Sequence, residues 1–188
     1  EAGRYFRSMS QGFALGLRYD ASGGVGVLFD RGGSDRYRVE YFGQGAAHWG
    51  GTGLLIDEEG DDVYRARRYA QGCGTHIAAG LIFDARGDDL YSMHAVGQGC
   101  GHDLAVGVLH EGAGSDRYQG GHLTQGSGNA NGIGVLADRA GDDKYAATSE
   151  GAQGYGSPHR GYGSIGVVID GGGDDRYSGN AAGNGKVW

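Results

Sequence analysis

The sequence predicts an all-β protein built as a parallel β-helix (β-solenoid), with six to seven coils of about 27 residues. Three observations carry that prediction. The pattern acid-x-x-Gly-(Asp/Ser)-Asp-x-Tyr returns six times, at 30–37, 57–64, 84–91, 111–118, 138–145 and 170–177. Its tyrosines stand at 37, 64, 91, 118, 145 and 177, so the first four intervals are identical, and a fixed period of that length marks a repeat architecture. Glycine makes up 43 of 188 residues with a single proline, which excludes collagen and disfavours helices, where each interior glycine costs about 1 kcal/mol.

Each period divides into three short extended segments. The first is aliphatic, as in Thr52-Gly53-Leu54-Leu55-Ile56 and Val106-Gly107-Val108-Leu109-His110, and reads as strand. Two adjacent aliphatic columns in every copy predict that both of its faces are shielded. Its glycine column predicts a close approach of backbone or side chain. The repeated turn follows, and its leading acid suits a side chain bonded to the backbone two residues on. Tyrosine opens the second segment, whose looser alternation (Tyr91-Ser92-Met93-His94-Ala95-Val96) predicts one solvent-facing side. The third opens at Gln-Gly and is small and polar, as in Gln98-Gly99-Cys100-Gly101-His102.

Three strands of about five residues plus turns account for one coil. Each coil is a parallel crossover, so a right-handed winding is expected. A run of hairpins is the alternative, and the Gln-Gly pair partly supplies the second tight turn it needs. Residues 1–188 read as one repeat domain, with insertions near 13–24 and 157–164 expected to bulge from one edge. The sequence starts and stops mid-repeat, so open strand edges are expected.

Sixteen of the 23 acids occupy three recurring positions of the six turns. Stacking the coils about 4.8 Å apart arranges them in rows. The first row is Asp30, Asp57, Asp84, Glu111, Asp138 and Asp170, and the second is Asp35, Asp62, Asp89, Asp116, Asp143 and Asp175. Asp61, Asp88, Asp142 and Asp174, with Ser34 and Ser115 in the gaps, form a third. Like charges at that spacing repel by about 3–4 kcal/mol at an intermediate dielectric, so something must offset them. Calcium suits the task, because it takes six to eight oxygen ligands in flexible geometry. The second row is the candidate ligand set, with the first row as possible second ligands. The alternative is hydrogen-bonded turns without metal, the first row forming turns. The second row would then cap neighbouring backbone or pair with Arg36, Arg117, Lys144 and Arg176.

The turn Asp170-Gly171-Gly172-Gly173-Asp174-Asp175-Arg176-Tyr177 resembles the calcium-binding nonapeptide of repeats-in-toxin proteins through Gly171, Gly173, Asp175 and Tyr177. The resemblance implies a β-solenoid with calcium held between coils by the turn Asp and turn carbonyls, in a secreted protein. It departs from that family in its leading acid, in Tyr at the aliphatic position and in carrying the turn only once per period. The turns also resemble Gly-Asp-Asp-x-Tyr arrays of uncharacterised bacterial proteins, which bring no function.

The remaining columns read as structure. The tyrosines are expected to stack in the core or at an edge, with a carbohydrate platform as the alternative. Gln11, Gln44, Gln71, Gln98, Gln125, Gln153 and Asn184 read as an amide ladder. Cys73 and Cys100, one coil apart, read as buried thiols without a bridge. The seven histidines show no metal or catalytic spacing.

The expected function is an extracellular or cell-surface structural module, calcium-stabilised and associating end to end into fibres. A glycan- or cell-surface-binding module using the Tyr and Arg columns is the alternative. A further one is a β-helix polysaccharide lyase or hydrolase, with Arg65, Arg67, Arg68, His94 and the His159-Arg160 loop in its groove. The net charge of -7 and scattered basic residues argue against nucleic acid, and no apolar run is long enough for a membrane-spanning helix.

Overall fold

The computed structural model describes residues 7–20 and 22–179. Its middle coil shows the plan: Ala79–Asp84, then Leu90–Gly97, then Gly101–His102, after which Val106–Glu111 opens the next coil. Every strand pairing among the described residues is parallel, which removes the hairpin alternative. Ala79 pairs with Thr52 on one side and Val106 on the other, the step read from the tyrosine spacing. Beyond the second insertion the register resumes with Ile133 opposite Ile165. The first segments form a six-stranded sheet, the second an eight-stranded one and the third a five-stranded one. That makes about five stacked coils rather than six to seven, and Asn184 lies outside the described residues.

Period-two alternation decides what enters the coil. In Val106–Glu111 the inward residues are Gly107, Leu109 and Glu111. Leu55, Ile82, Leu109 and Leu136 are buried from this sheet and meet Tyr64, Tyr91, Tyr118 and Tyr145 from the second. Each such leucine contributes about 1.5–3 kcal/mol by leaving water. The tyrosine rings stack with centroids 4.6–5.2 Å apart and planes within 10°. They belong to the core, so this column offers no carbohydrate platform. The glycine column behaves as expected, since a Cβ on Gly107 would lie 2.1 Å from the Cys100 carbonyl oxygen. Cys73 and Cys100 are buried free thiols, with the Cys73 thiol pushed up by burial.

Two expectations need correction. The glutamines do not bond one another. Gln98 Nε2 donates to the Tyr91 carbonyl of its own coil and the Gln119 carbonyl of the next, and Gln44, Gln71 and Gln125 repeat this. The physical reason is the corner itself. These glutamines take the left-handed backbone region (φ 48–53), as do Phe42, Tyr69, Val96 and Leu123 two residues earlier, so the chain bends and needs donors for its carbonyls. The aliphatic strand, for its part, is shielded on one face only. Its outward columns carry Val25 at 75% and Ile165 at 54% exposure.

Both insertions leave from the corner between the third and first segments. The second is pinched by the Ser164 N–H donating to the Ser157 carbonyl at 3.2 Å, and it holds a single 3₁₀ turn, His159–Gly161.

Candidate metal centre

The inward phase of the first strand places its last residue, the first-row acid, beside the tyrosine ring that opens the second strand. Tyr64 donates to Asp84 at 2.6 Å, Tyr91 to Glu111 at 2.7 Å and Tyr118 to Asp138 at 2.7 Å, each reaching one coil forward. Tyr91 also lies 3.4 Å from Asp84 of its own coil, and Tyr145 lies 3.2 Å from Asp138. Tyr37 and Tyr91 therefore bridge successive carboxylates of the column, and the other phenols of the stack each bond one. The turn-forming bond expected of this row is present at Asp30, Asp57 and Asp170, whose carboxylates accept the N–H two residues on at 3.3–3.4 Å.

The second row caps backbone, and it does so backwards along the stack. Asp89 Oδ1 accepts the Asp62 N–H at 2.6 Å, Asp116 accepts from Asp89 at 2.7 Å, and Asp143 accepts from Asp116 at 2.7 Å. Asp62 and Asp175 do the same for Asp35 and Asp143. The third row faces solvent and caps forwards: Asp61 accepts the Asp88 N–H and Asp142 accepts the Asp174 N–H. The other expected partners fail. Arg36, Arg117, Lys144 and Arg176 point outward, and the only ion pairs among the described residues are Arg86–Glu59, Arg160–Asp103 and His76–Asp103.

Capping uses one oxygen and leaves the other. Oδ2 of Asp62, Asp89, Asp116 and Asp143, and Oδ1 of Asp84 and Asp138, are buried without a hydrogen-bond partner. All six of these residues are at most 2% exposed. They come together in threes: Asp62, Asp84 and Asp89; Asp89, Glu111 and Asp116; Asp116, Asp138 and Asp143. Half-buried groups at the ends, Asp30 with Asp35 and Asp57, and Asp143 with Asp170 and Asp175, complete the set. All twelve acids of the first two rows therefore meet. Within each group one oxygen per carboxylate lies within 4.8 Å of the others.

The electrostatics follow from burial. An unpaired carboxylate costs several kcal/mol to desolvate, and no basic side chain enters the column. Burial pushes Asp89 up to about 9, and first-row Asp84 beside it adds to the rise. Burial likewise raises Asp62, Asp84, Glu111, Asp116, Asp138 and Asp143. The tyrosines are raised out of reach, first by burial. Such a column is neutral only if it holds protons or cations. Oxygen ligands of calcium lie about 2.3–2.6 Å from the ion, so opposed ligands are about 4.6–5.2 Å apart. Oxygens within 4.8 Å of one another can share one such ion, and they are hard donors, so clusters able to bind a metal ion are present.

The sequence did not reveal the tyrosine hydroxyls as partners of these acids, nor that both rows point inward. The signal was available in the spacing Gly-x-Leu-x-acid, which puts the acid on the leucine's face. The residues expected of an enzyme stand in two places. Arg65 and His94 lie on the second sheet, whereas His159 and Arg160 bond to Asn129 and Asp103 beside the third. Asp103 also holds His76.

Comparison with known proteins gives no match, whether to a protein family, a curated protein or a solved structure. The repeats-in-toxin resemblance therefore stands on its turn residues, and the part the structure bears out is the coarser one: stacked β-solenoid coils carrying acidic clusters.

Proposed function

We propose that this chain is a structural β-solenoid module of the cell exterior, stabilised by calcium in its buried carboxylate column and associating end to end as a surface or fibre-forming unit. The observation that carries this reading is the row of buried carboxylate oxygens without partners, in residues gathered in threes close enough to share an ion. In four groups two second-row oxygens and one first-row oxygen would hold the ion, in the fifth Asp35 with Asp30 and Asp57, and the ion would supply the positive charge that no side chain supplies. Extracellular calcium modules work at dissociation constants of about 10⁻⁴–10⁻³ M, which suits an exterior location. End-to-end association is supported by the outermost strands of the first sheet, Val25–Asp30 and Ile165–Asp170. Each has one bonded neighbour among the described residues, and the tyrosine stack ends on Tyr177, half exposed. In this reading the chain performs no catalysis.

A second reading, an anionic-glycan or cell-surface binder, has one observation in its favour: Arg36, Arg38 and Arg65 line a shallow pocket on the outer face of the second sheet.

Metal analysis of the purified chain, with melting in calcium and in chelator, tests the first reading. Bound calcium and a higher melting temperature in calcium are expected. A melting curve indifferent to both additions would overturn the calcium assignment, and uniform short particles by electron microscopy in calcium would overturn fibre formation.

A further inference from the structure

Among the described residues no layer lies over the outer face of the six-stranded sheet, yet it has the composition of an interior. Eighteen outward positions in three columns carry no Asp, Glu, Lys or Arg, in a chain that is 21% charged. Val27 and Phe29 at one end and Ile169 at the other are at least half exposed, and Phe83 stacks on His110 near the middle at 4.7 Å. Ile77 and Leu104, 60% and 58% exposed, continue the apolar surface around the adjoining corner. Parallel strands with two adjacent aliphatic columns are ordinarily covered on both faces. Contiguous exposed apolar surface of this extent marks an interaction site.

We infer that this face is the interface of a side-by-side dimer, its occupant being the same face of a second copy. Six strands at about 4.8 Å and six residues at about 3.3 Å make a face of roughly 29 by 20 Å. Two copies apposed across it bury about 1,200 Å² in total, the lower end of the range for specific interfaces. A face without charge offers nothing to a charged partner, and a flat sheet packs best on another flat sheet about 10 Å away.

The sequence also makes the face complementary to itself. A two-fold axis along the strand direction, between Ala79–Asp84 and Val106–Glu111, opposes the first strand to the sixth, the second to the fifth and the third to the fourth. Larger side chains then meet smaller or differently shaped ones: Leu81 faces Val108, Ile56 faces Ala137 and Phe29 faces Ile169. Such a contact closes at two copies, so it is separate from end-to-end growth and independent of calcium.

The test is the mass of the full chain in solution by light scattering or sedimentation, in calcium and in chelator. The smallest species of the parent chain is expected at twice 19.5 kDa, with end-to-end growth adding multiples of that unit. Leu81→Glu and Val108→Lys each put a charge at the centre of the face, and each is expected to weaken the dimer roughly a hundredfold or more. Both sites point out of the coil, so each variant should still melt cooperatively, lowered only by the stabilisation that association gives the parent. An equimolar mixture of the two variants should recover the dimer, because the two-fold brings one introduced charge against the other. A parent chain that stays monomeric at its solubility limit would overturn the inference. So would variants whose smallest species remains dimeric.

Discussion

Replacing Asp116 by Asn separates the two ways in which the carboxylate column can be neutral. Asp116 is shared by two groups, one with Asp89 and Glu111 and one with Asp138 and Asp143. Its Oδ1 accepts the Asp89 N–H at 2.7 Å, a bond that the Asn oxygen keeps. Its Oδ2, which has no partner, becomes an NH₂ that can donate to a neighbouring carboxylate. Without metal, the change removes a charge that lies within 4.8 Å of its neighbours. At an intermediate dielectric that repulsion is about 3–4 kcal/mol per ionised pair, so Asp116→Asn should melt above the parent in chelator at mildly alkaline pH. With calcium the sign reverses, because two sites each lose a ligand. A site filled at a hundredfold over its dissociation constant stabilises by about 2.7 kcal/mol, so losing both removes about 5 kcal/mol. At about 2–4 °C per kcal/mol, the calcium-induced rise should shrink by about 10–20 °C. Calorimetry of both chains, with calcium and with chelator, reads this directly. An undiminished rise in Asp116→Asn would take Asp116 out of the sites. No rise in either chain would leave protons as the neutralising charge.

Further outcomes follow from the same geometry. In chelator, stability should fall as pH rises: the folded carboxyls hold protons that the unfolded ones release above about pH 4, and this contribution is lost on climbing through the folded values, Asp89 at about 9 among them. Urea titrations at mildly acidic and alkaline pH check it, and stability that climbs with pH would contradict it. Tyr91→Phe removes the donor to Glu111 and should cost about 1–3 kcal/mol in denaturant titrations, whereas Tyr177→Phe at the exposed end should cost less. Leu109→Ala should cost about 3–5 kcal/mol by the same assay, since Leu109 is fully buried in the cluster of stacked tyrosines. Gly114→Ala should prevent native stacking, visible as lost cooperativity on melting, because its Cβ would lie 1.6 Å from the Gly87 carbonyl oxygen of the coil behind.

The sequence by itself determined the repeat unit, the three segments per coil and the two acid rows, and it favoured a parallel stack over hairpins. These are properties of periodicity, and a fixed step along the chain brings equivalent residues together whatever the side chains then do. It also placed both insertions at one edge, since an insertion in a stack can only leave the register or bulge. Only the tertiary structure decided where the acids point and what they meet. A row is defined by its step, but inward or outward depends on the phase of a strand that carries aliphatic residues on both faces, as Val108 and Leu109 show. That phase turned Glu111 from an expected turn-former into a buried acid, and it gave Tyr91 a carboxylate partner one coil ahead. The same phase left Leu81 and Val108 on an uncovered face that the sequence had marked for burial. The corner glutamines show the limit from the other side. Their column was legible, but the left-handed bend that turns their amides onto backbone carbonyls arises only when the coil closes.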